Sequence, residues 1–486
     1  MNLISGVCGG LIGLNLMTSG AEQKWTIHEW GTFTSLQNER GISVGGINTD
    51  DEPVPSFVYQ FSRMLPTSET PMLFFKGVPN CDRDVTMRME TPVIYFHPPK
   101  TAAGTTSTVD VNVRFNGGWL SEFYPKAELT GMDRDTNGAP RFGPLRSDSI
   151  TGLTWAGLKV GGDWPMIETS EHVWTSPRAV DAAEVQTAEK EAERFLFYRG
   201  VAHIDAPIRV VRNRDELYLY SNLFENEKRF GIQNLWLVDI RRDGKIAFRT
   251  LPPTTFYPYL KPDAADKATR HTAATFPDNE FSTDNLDKLK ASLKAALIAD
   301  GLYDDEAQAL LNTWQVSYFK SPGLRLFFLV PREWTDHYLP LSVSVPADVN
   351  RVMVGRIELV TPEQRERLRT LSNLTPAQIA ADRDQLATNY MAGALRAQHD
   401  GKVDEQAVSK WIQQVEDLNA GKKTLASVMT VPKSYQTYLD LGRFRNALVL
   451  EQAERQPTEG LINFIATYRL QGFKPVPPSK LAVNQQ

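Results

Sequence analysis

Through the first 360 residues, apolar positions recur mostly with the two-residue period of half-buried strands. The clearest case is Val109, Val111, Val113 and Phe115, separated by Asp110, Asn112 and Arg114. Asn116-Gly117-Gly118 follows and accepts positive φ, which predicts a hairpin into a strand over 119–124. The Thr- and aromatic-rich stretch 25–35 and the apolar run 93–96 after Pro92 predict strands that fit a pleated, buried surface. Further strands are expected at 208–211, 217–220, 232–240, 245–250, 324–330, 341–345 and 352–360. Arg242-Asp243-Gly244 closes the pair 232–240 and 245–250 as a hairpin.

Helical spacing interrupts this pattern twice. Val185, Ala188, Ala192 and Phe195 predict a helix over 182–196, and a pair of helices is expected within 285–316. In that pair Asp284 stands as N-cap of a helix over 285–299, with Gly301 just past its end and Leu302 after it. At Thr361 the character changes. Thr361-Pro362-Glu363-Gln364 and Thr375-Pro376-Ala377-Gln378 are capping boxes with Pro at the first helical position. They predict helices over 362–372, 376–399, 403–419, 433–455 and 457–470. The expected fold is α+β: an antiparallel, β-sandwich-like N-terminal body with inserted helices, followed by an all-helical C-terminal region. It divides into a β-rich domain 22–180 with long loops at 116–180, a second β-rich domain 181–360, a helical region 361–474 and a flexible tail 475–486.

Length supports that division, since 486 residues exceed one ordinary core. A net charge of −5, with Lys and Arg spread along the chain, argues against a nucleic-acid partner, which requires a basic stripe. Residues 1–21 read as a secretory signal: an uncharged apolar run from Ile4 to Met17, then the small residues Ser19, Gly20 and Ala21. The expected location is extracytoplasmic, either periplasmic or secreted. Nothing else approaches a transmembrane span, so the mature chain is expected to carry none. Signal removal takes Cys8 and leaves Cys81 alone, so stability must come from burial rather than an internal disulfide.

Three strings, His28-Glu29-Trp30-Gly31-Thr32-Phe33-Thr34-Ser35, Arg88-Met89-Glu90-Thr91-Pro92-Val93-Ile94-Tyr95-Phe96 and Pro331-Arg332-Glu333-Trp334-Thr335-Asp336, resemble those of a group of exported bacterial proteins without assigned function. The resemblance covers most of residues 25–360. It implies export and a shared fold, and it implies no activity.

Four features bear on chemistry. Gly41-Ile42-Ser43-Val44-Gly45 matches a nucleophile elbow, but the Asn-, Asp- and Pro-rich sequence after it cannot form the helix that chemistry requires. Asp133, Asp135 and Asn137, followed by Gly138, form the first half of a calcium loop, with Pro144 where the twelfth ligand belongs. Calcium is the one cofactor this suggests. Among acids and histidines, His28, Glu29, Glu90, His203 and Asp205 are the catalytic candidates, on the expectation that strands bring some of them together. Lastly, Trp119, Tyr124, Trp155, Trp164, His172 and Trp174 crowd the loop-rich stretch and suit an aromatic platform for a sugar or peptide chain. The leading expectation is a binding or scaffold protein that recognises a glycan or protein partner through the 116–180 loops. The alternative is an extracytoplasmic hydrolase using carboxylate and histidine acid–base or metal chemistry.

Overall fold

The computed structural model describes residues 24–48, 54–61, 82–99, 105–222 apart from 135, 137 and 139, 230–256, 270–396 and 430–470, with scattered positions between 398 and 414. The signal segment 1–21, Cys81, the calcium-loop residues Asp135 and Asn137, most of the helix expected over 403–419 and the tail 475–486 lie outside the described residues.

A nine-stranded sheet is the centre of the fold. Its strands are β1 (Trp25–Gln37), β2 (Tyr59–Gln60), β3 (Met87–His97), β5 (Gly118–Tyr124), β7 (Leu196–Ala202), β8 (Leu235–Ile240), β9 (Ile246–Leu251), β10 (Gly323–Leu329) and β11 (Ala347–Leu359). Their order is β9-β8-β10-β11-β1-β3-β7-β5-β2. Both sides of the 180/181 boundary therefore contribute to one sheet. A six-stranded sheet faces it, built around β4 (Ser107–Asn116) and β6 (Ile150–Gly162). Between the sheets lies a core of Ile27, Phe33, Met89 and Ile94 from the first and Val109, Val111, Val113, Phe115 and Trp155 from the second. The alternation read in β4 is present, with its four apolar residues buried and the polar residues between them exposed.

The other face of the large sheet is covered by helices. Trp30, Val93, Tyr95, Trp236 and Val352 pack against α2 (Asn285–Ala299) and α3 (Asp304–Thr313) through Leu289, Leu293, Leu297, Leu310 and Leu311. Three shorter helices are α1 (His172–Arg178), α4 (Gln315–Phe319) and α5 (Arg332–Tyr338). Beyond Thr361 come α6 (Pro362–Ser372), α7 (Pro376–Arg396), α8 (Lys433–Leu439), α9 (Arg445–Arg455) and α10 (Glu459–Tyr468). Both capping boxes form. Thr361 Oγ1 accepts from Gln364 N while Gln364 Oε1 accepts from Thr361 N, and Thr375 and Gln378 repeat the pattern. These helices share a core with Leu36, Val44, Trp119 and Val201 of the β body. Strand and helix are both abundant, and the class is α+β.

Several expectations are corrected. The large sheet is not wholly antiparallel, because β1 and β11 run parallel, with Trp25 opposite Ala347 and Gln37 opposite Leu359. No hairpin joins strands so far apart in sequence, so turn chemistry does not set their direction. Asn116-Gly117-Gly118 is not a hairpin turn either. Gly117 has the anticipated positive φ of 78°, yet it carries the chain from β4 in one sheet to β5 in the other. The 182–196 helix is absent. Glu184–Gln186 pairs antiparallel with β6 and with Ala192–Glu193, through a turn in which Lys190 takes φ 74°. An open sheet edge gives this segment hydrogen-bond partners that a short isolated helix would have to supply alone. The 433–455 helix breaks into α8 and α9 around Gly442, which sits at φ 92°. A two-residue strand pair, Gln398–His399 with Lys402–Val403, also interrupts the helical run.

The aromatic platform is corrected too. Trp119, Trp155 and Trp174 are buried, each in a different core cluster, and Tyr124 is buried with Trp174. Buried indole N–H groups require acceptors, and two have them: Trp155 Nε1 donates to Pro125 O at 2.9 Å and Trp174 Nε1 to Glu193 Oε2 at 2.6 Å. Trp164 is half-buried and His172 is exposed, so no shared surface collects the six residues. Much of the supposed loop region is the 13-residue strand β6, which loops alone do not predict.

Buried in this way, Trp119, Trp155 and Trp174 should resist acrylamide quenching in the native protein. Trp174→Ala should lower stability by about 3–5 kcal/mol in a denaturant titration. Unchanged stability in that variant would contradict the assignment.

Candidate metal centre

Consecutive residues of a strand point to opposite faces, so β1 sends His28 and Glu29 apart. His28 faces the helical layer and Glu29 faces the inter-sheet side. In the register, His28 lies opposite Tyr95 and Thr26 opposite His97, which places His97 diagonally beside His28 on one face. On its other side β1 sets Asn350 of β11 directly opposite His28.

The third member of the site comes from the turn between α2 and α3. Gly301, at φ 111°, ends α2: its N–H donates to Ile298 O and that of Leu302 to Leu297 O, the paired bonds of a Schellman close. Two residues later Tyr303 is the N-cap of α3, and Glu306 at the third helical position reaches back to accept from Tyr303 N at 2.8 Å. That turn brings the Glu306 carboxylate over the sheet. His28 Nδ1 lies 2.7 Å from Glu306 Oε2, and His97 Nε2 lies 3.0 Å from Oε1. The Tyr303 ring packs on both imidazoles, at 4.6 Å from His28 and 4.8 Å from His97.

Burial by itself would push the Glu306 carboxyl upward. Hydrogen bonds from His28 and His97, the charge of His28 and the Tyr303 N–H outweigh it and hold the group at about 2. The carboxylate is therefore ionised across the physiological range, although the residue is fully buried. The His97 side chain is 14% exposed and Tyr303 46%, so burial is incomplete on that side of the centre.

One ligand atom each from His28, His97 and Glu306 lie within 4.8 Å of one another. Bonds of about 2.0–2.1 Å in a tetrahedral arrangement place ligand atoms roughly 3.3 Å apart. The two His–Glu separations, to different oxygens of Glu306, are slightly below that value, while the three ligand atoms spread to 4.8 Å, so holding a zinc-sized ion requires the two imidazoles to draw together around it. Two imidazoles and a carboxylate are a common donor set for zinc. Among the described residues, no other group of three or more His, Cys, Asp and Glu gathers this way.

The remaining sequence candidates go elsewhere. Glu29 is bonded to Tyr198 and paired with Arg351, which also reaches Asp336 at 2.8 Å. Burial and the Glu29 charge push the Tyr198 hydroxyl well above its ordinary range. Glu90 lies opposite Thr32, four residues from His28, or about 13 Å along the strand, and pairs with Arg443 at 2.7 Å. His203 Nδ1 bonds Asp84 O at 2.6 Å, and neither His203 nor the half-buried Asp205 joins the cluster. The expected convergence of His28, Glu29 and Glu90 in one cleft is therefore corrected by strand alternation and register. Ser43 of the elbow-like motif forms a single bridge to Gln37. Asp133 is exposed on a two-residue strand, and its two partner ligands lie outside the described residues.

Sequence reasoning found His28 and missed His97 and Glu306. His97 was readable only as the polar end of an apolar strand. The signal for Glu306 was its place three residues into a helix, which announces a cap and not a ligand.

The Glu29–Arg351 pair predicts that Glu29→Gln acts on folding. Leaving a buried guanidinium without its carboxylate costs about 3–5 kcal/mol. Chemical denaturation should register that loss, and a stable Glu29→Gln chain would remove the pair from the core account.

The chain matches no protein-family model, and no curated protein sequence matches it.

Proposed function

We propose that this chain is a metal-dependent hydrolase acting outside the cytoplasm, with one zinc-type divalent ion held by His28, His97 and Glu306. Its sandwich-like β body and C-terminal helical region form the scaffold. The observation that carries this reading is the gathering of three ligand atoms from three separate elements within 4.8 Å. Structural zinc sites are closed with four protein ligands, whereas three ligands leave a coordination position for water or substrate. That position belongs on the His97 and Tyr303 side, where the burial is incomplete. A zinc-bound water ionises near neutral pH, which supplies a nucleophile for ester, amide or phosphoester cleavage. The compartment follows from the apolar run Ile4 to Met17 and its small-residue flank. The alternative of a glycan- or protein-binding surface at 116–180 is less well supported, because Trp119, Tyr124, Trp155 and Trp174 are core residues.

The test is metal content followed by turnover. Full-length protein loaded with zinc and dialysed should retain about one ion per chain. His97→Ala should lose that ion while keeping its fold, since His97 is the least buried ligand. The zinc form should cleave a member of a panel of chromogenic esters, peptides and phosphoesters, and a chelator should stop it. Zinc retained no better than by His97→Ala would end the metal reading; zinc retained without any cleavage across the panel would end the hydrolase reading.

A further inference from the structure

Among the described residues, five large hydrophobic side chains are exposed: Ile42, Ile150, Ile167, Ile298 and Tyr303. Tyr303 is the one aromatic in that set, and it stands at the candidate centre. Its ring centroid lies 4.6 Å from that of His28 and 4.8 Å from that of His97, and the two imidazole centroids are 5.2 Å apart. A ring that served only to cover the imidazoles would be buried with them, as Tyr95 is on the same face of the sheet. The Tyr303 ring instead packs on two metal-ligating side chains while 46% of the residue stays open to solvent.

The ring is held in place before any ligand arrives. Tyr303 N donates to Glu306 Oε2 at 2.8 Å as the N-cap of α3, and the ring meets the imidazoles at 56° and 71°. A surface fixed in this way loses little further freedom when a second ring settles on it. The fourth ligand of a tetrahedral ion lies about 2 Å from the metal. On the incompletely buried side of the centre, a group bonded to that ligand comes against the Tyr303 ring. We infer that Tyr303 is the specificity-determining residue of the centre, and that its exposed ring takes an aromatic group of the substrate beside the scissile bond. The inference rests on the metal-dependent hydrolase reading above. Offset or edge-on packing of two rings supplies the preference, which a methyl group in the same place cannot match.

The experiment uses full-length protein loaded with cobalt(II), which occupies zinc sites and reports added ligands through its visible bands. The probes are acetohydroxamate and benzohydroxamate, which grip a metal through the same two oxygens and differ in carrying a methyl or a phenyl group. Wild type should bind benzohydroxamate more tightly, by a factor on the order of ten. Tyr303→Ala should bring the two affinities together, and Tyr303→Phe should keep the wild-type ratio. Ile298→Ala trims an exposed apolar side chain of the same turn, whose carbonyl accepts from Gly301 N, and should also keep the ratio. Cobalt content and a thermal melt establish that each variant holds the ion and its fold. If Tyr303→Ala loses the ion, Tyr303→Leu, which retains bulk against the imidazoles, reads the same ratio and should show it reduced.

Equal affinity of the cobalt-loaded wild type for the two hydroxamates overturns the aromatic subsite and leaves the metal reading standing. A ratio that survives in Tyr303→Ala, or in Tyr303→Leu where that variant replaces it, overturns the role of Tyr303. A ratio lost equally in Ile298→Ala, or lost in Tyr303→Phe, also overturns the assignment to the Tyr303 ring. A wild type that retains no cobalt overturns the metal reading and the subsite with it. None of these outcomes depends on turnover, so a failure of the hydrolase reading alone is seen separately in the cleavage panel.

Discussion

Strand β1 lies in the interior of the large sheet and is buried along almost its whole length, with neighbours on both edges and a packed layer on both faces. Such a strand would ordinarily be apolar. This one carries His28, Glu29, Thr32, Thr34, Ser35 and Gln37, all buried. A buried polar group without a partner costs about 1–3 kcal/mol, and more if charged, so the surroundings must be organised to supply partners. Much of the fold can be read as that supply. Glu306 reaches His28 from α3, and Arg351 and Tyr198 reach Glu29 from β11 and β7. Tyr318 of α4 bonds Thr34, and Gln37 spans to Ile208 O and Val210 N.

The same constraint explains the arginines beneath the helices. Arg325 and Arg356 are fully buried, and Glu358 pairs with both. Other N–H groups go to oxygens in and just after α4: Arg325 to Tyr318 O and Ser321 O, Arg356 to Ser317 O, and both to Ser321 Oγ. Cations are favoured at a helix C-terminus, where carbonyls lack intrahelical partners. Burial still pulls the Arg325 group down to about 10. Arg443 extends the arrangement from the loop between α8 and α9 to Glu90 on β3, which ties the C-terminal helices to the sheet. A half-buried network does likewise, with Arg365 of α6 bound to both Glu39 and Glu451.

The candidate centre is one instance of this partner supply in which the partners are also metal-ligating residue types. A buried carboxylate between two imidazoles satisfies hydrogen bonds in the metal-free state, and those donor atoms are the ones an ion would use. Glu306 serves twice, as the capping residue of α3 and as the acceptor for His28 and His97. Geometry at the helix start and geometry at the site are therefore coupled.

The sequence by itself determined the local elements whose causes are local. The alternation of β4, the Asp-Gly hairpin between β8 and β9, the Gly301 close of α2 and both Thr-Pro capping boxes all formed as read, because each depends on residues within one turn or one strand. His28 and Glu29 were legible as unusual residues, yet not as residues of opposite faces serving separate networks. What only the tertiary structure decided is everything set by pairing across long separations. That includes the parallel match of β1 with β11, the corner at Gly117, the strand pair where a helix was expected at 182–196, and the burial of the tryptophans in three cores. It also includes the meeting of His28, His97 and Glu306, whose separations of 69 to 278 residues leave no periodic trace (97 − 28 and 306 − 28). Local sequence fixes dihedral preference and face; register between distant strands is chosen by the total burial and hydrogen bonding of the assembled sheet.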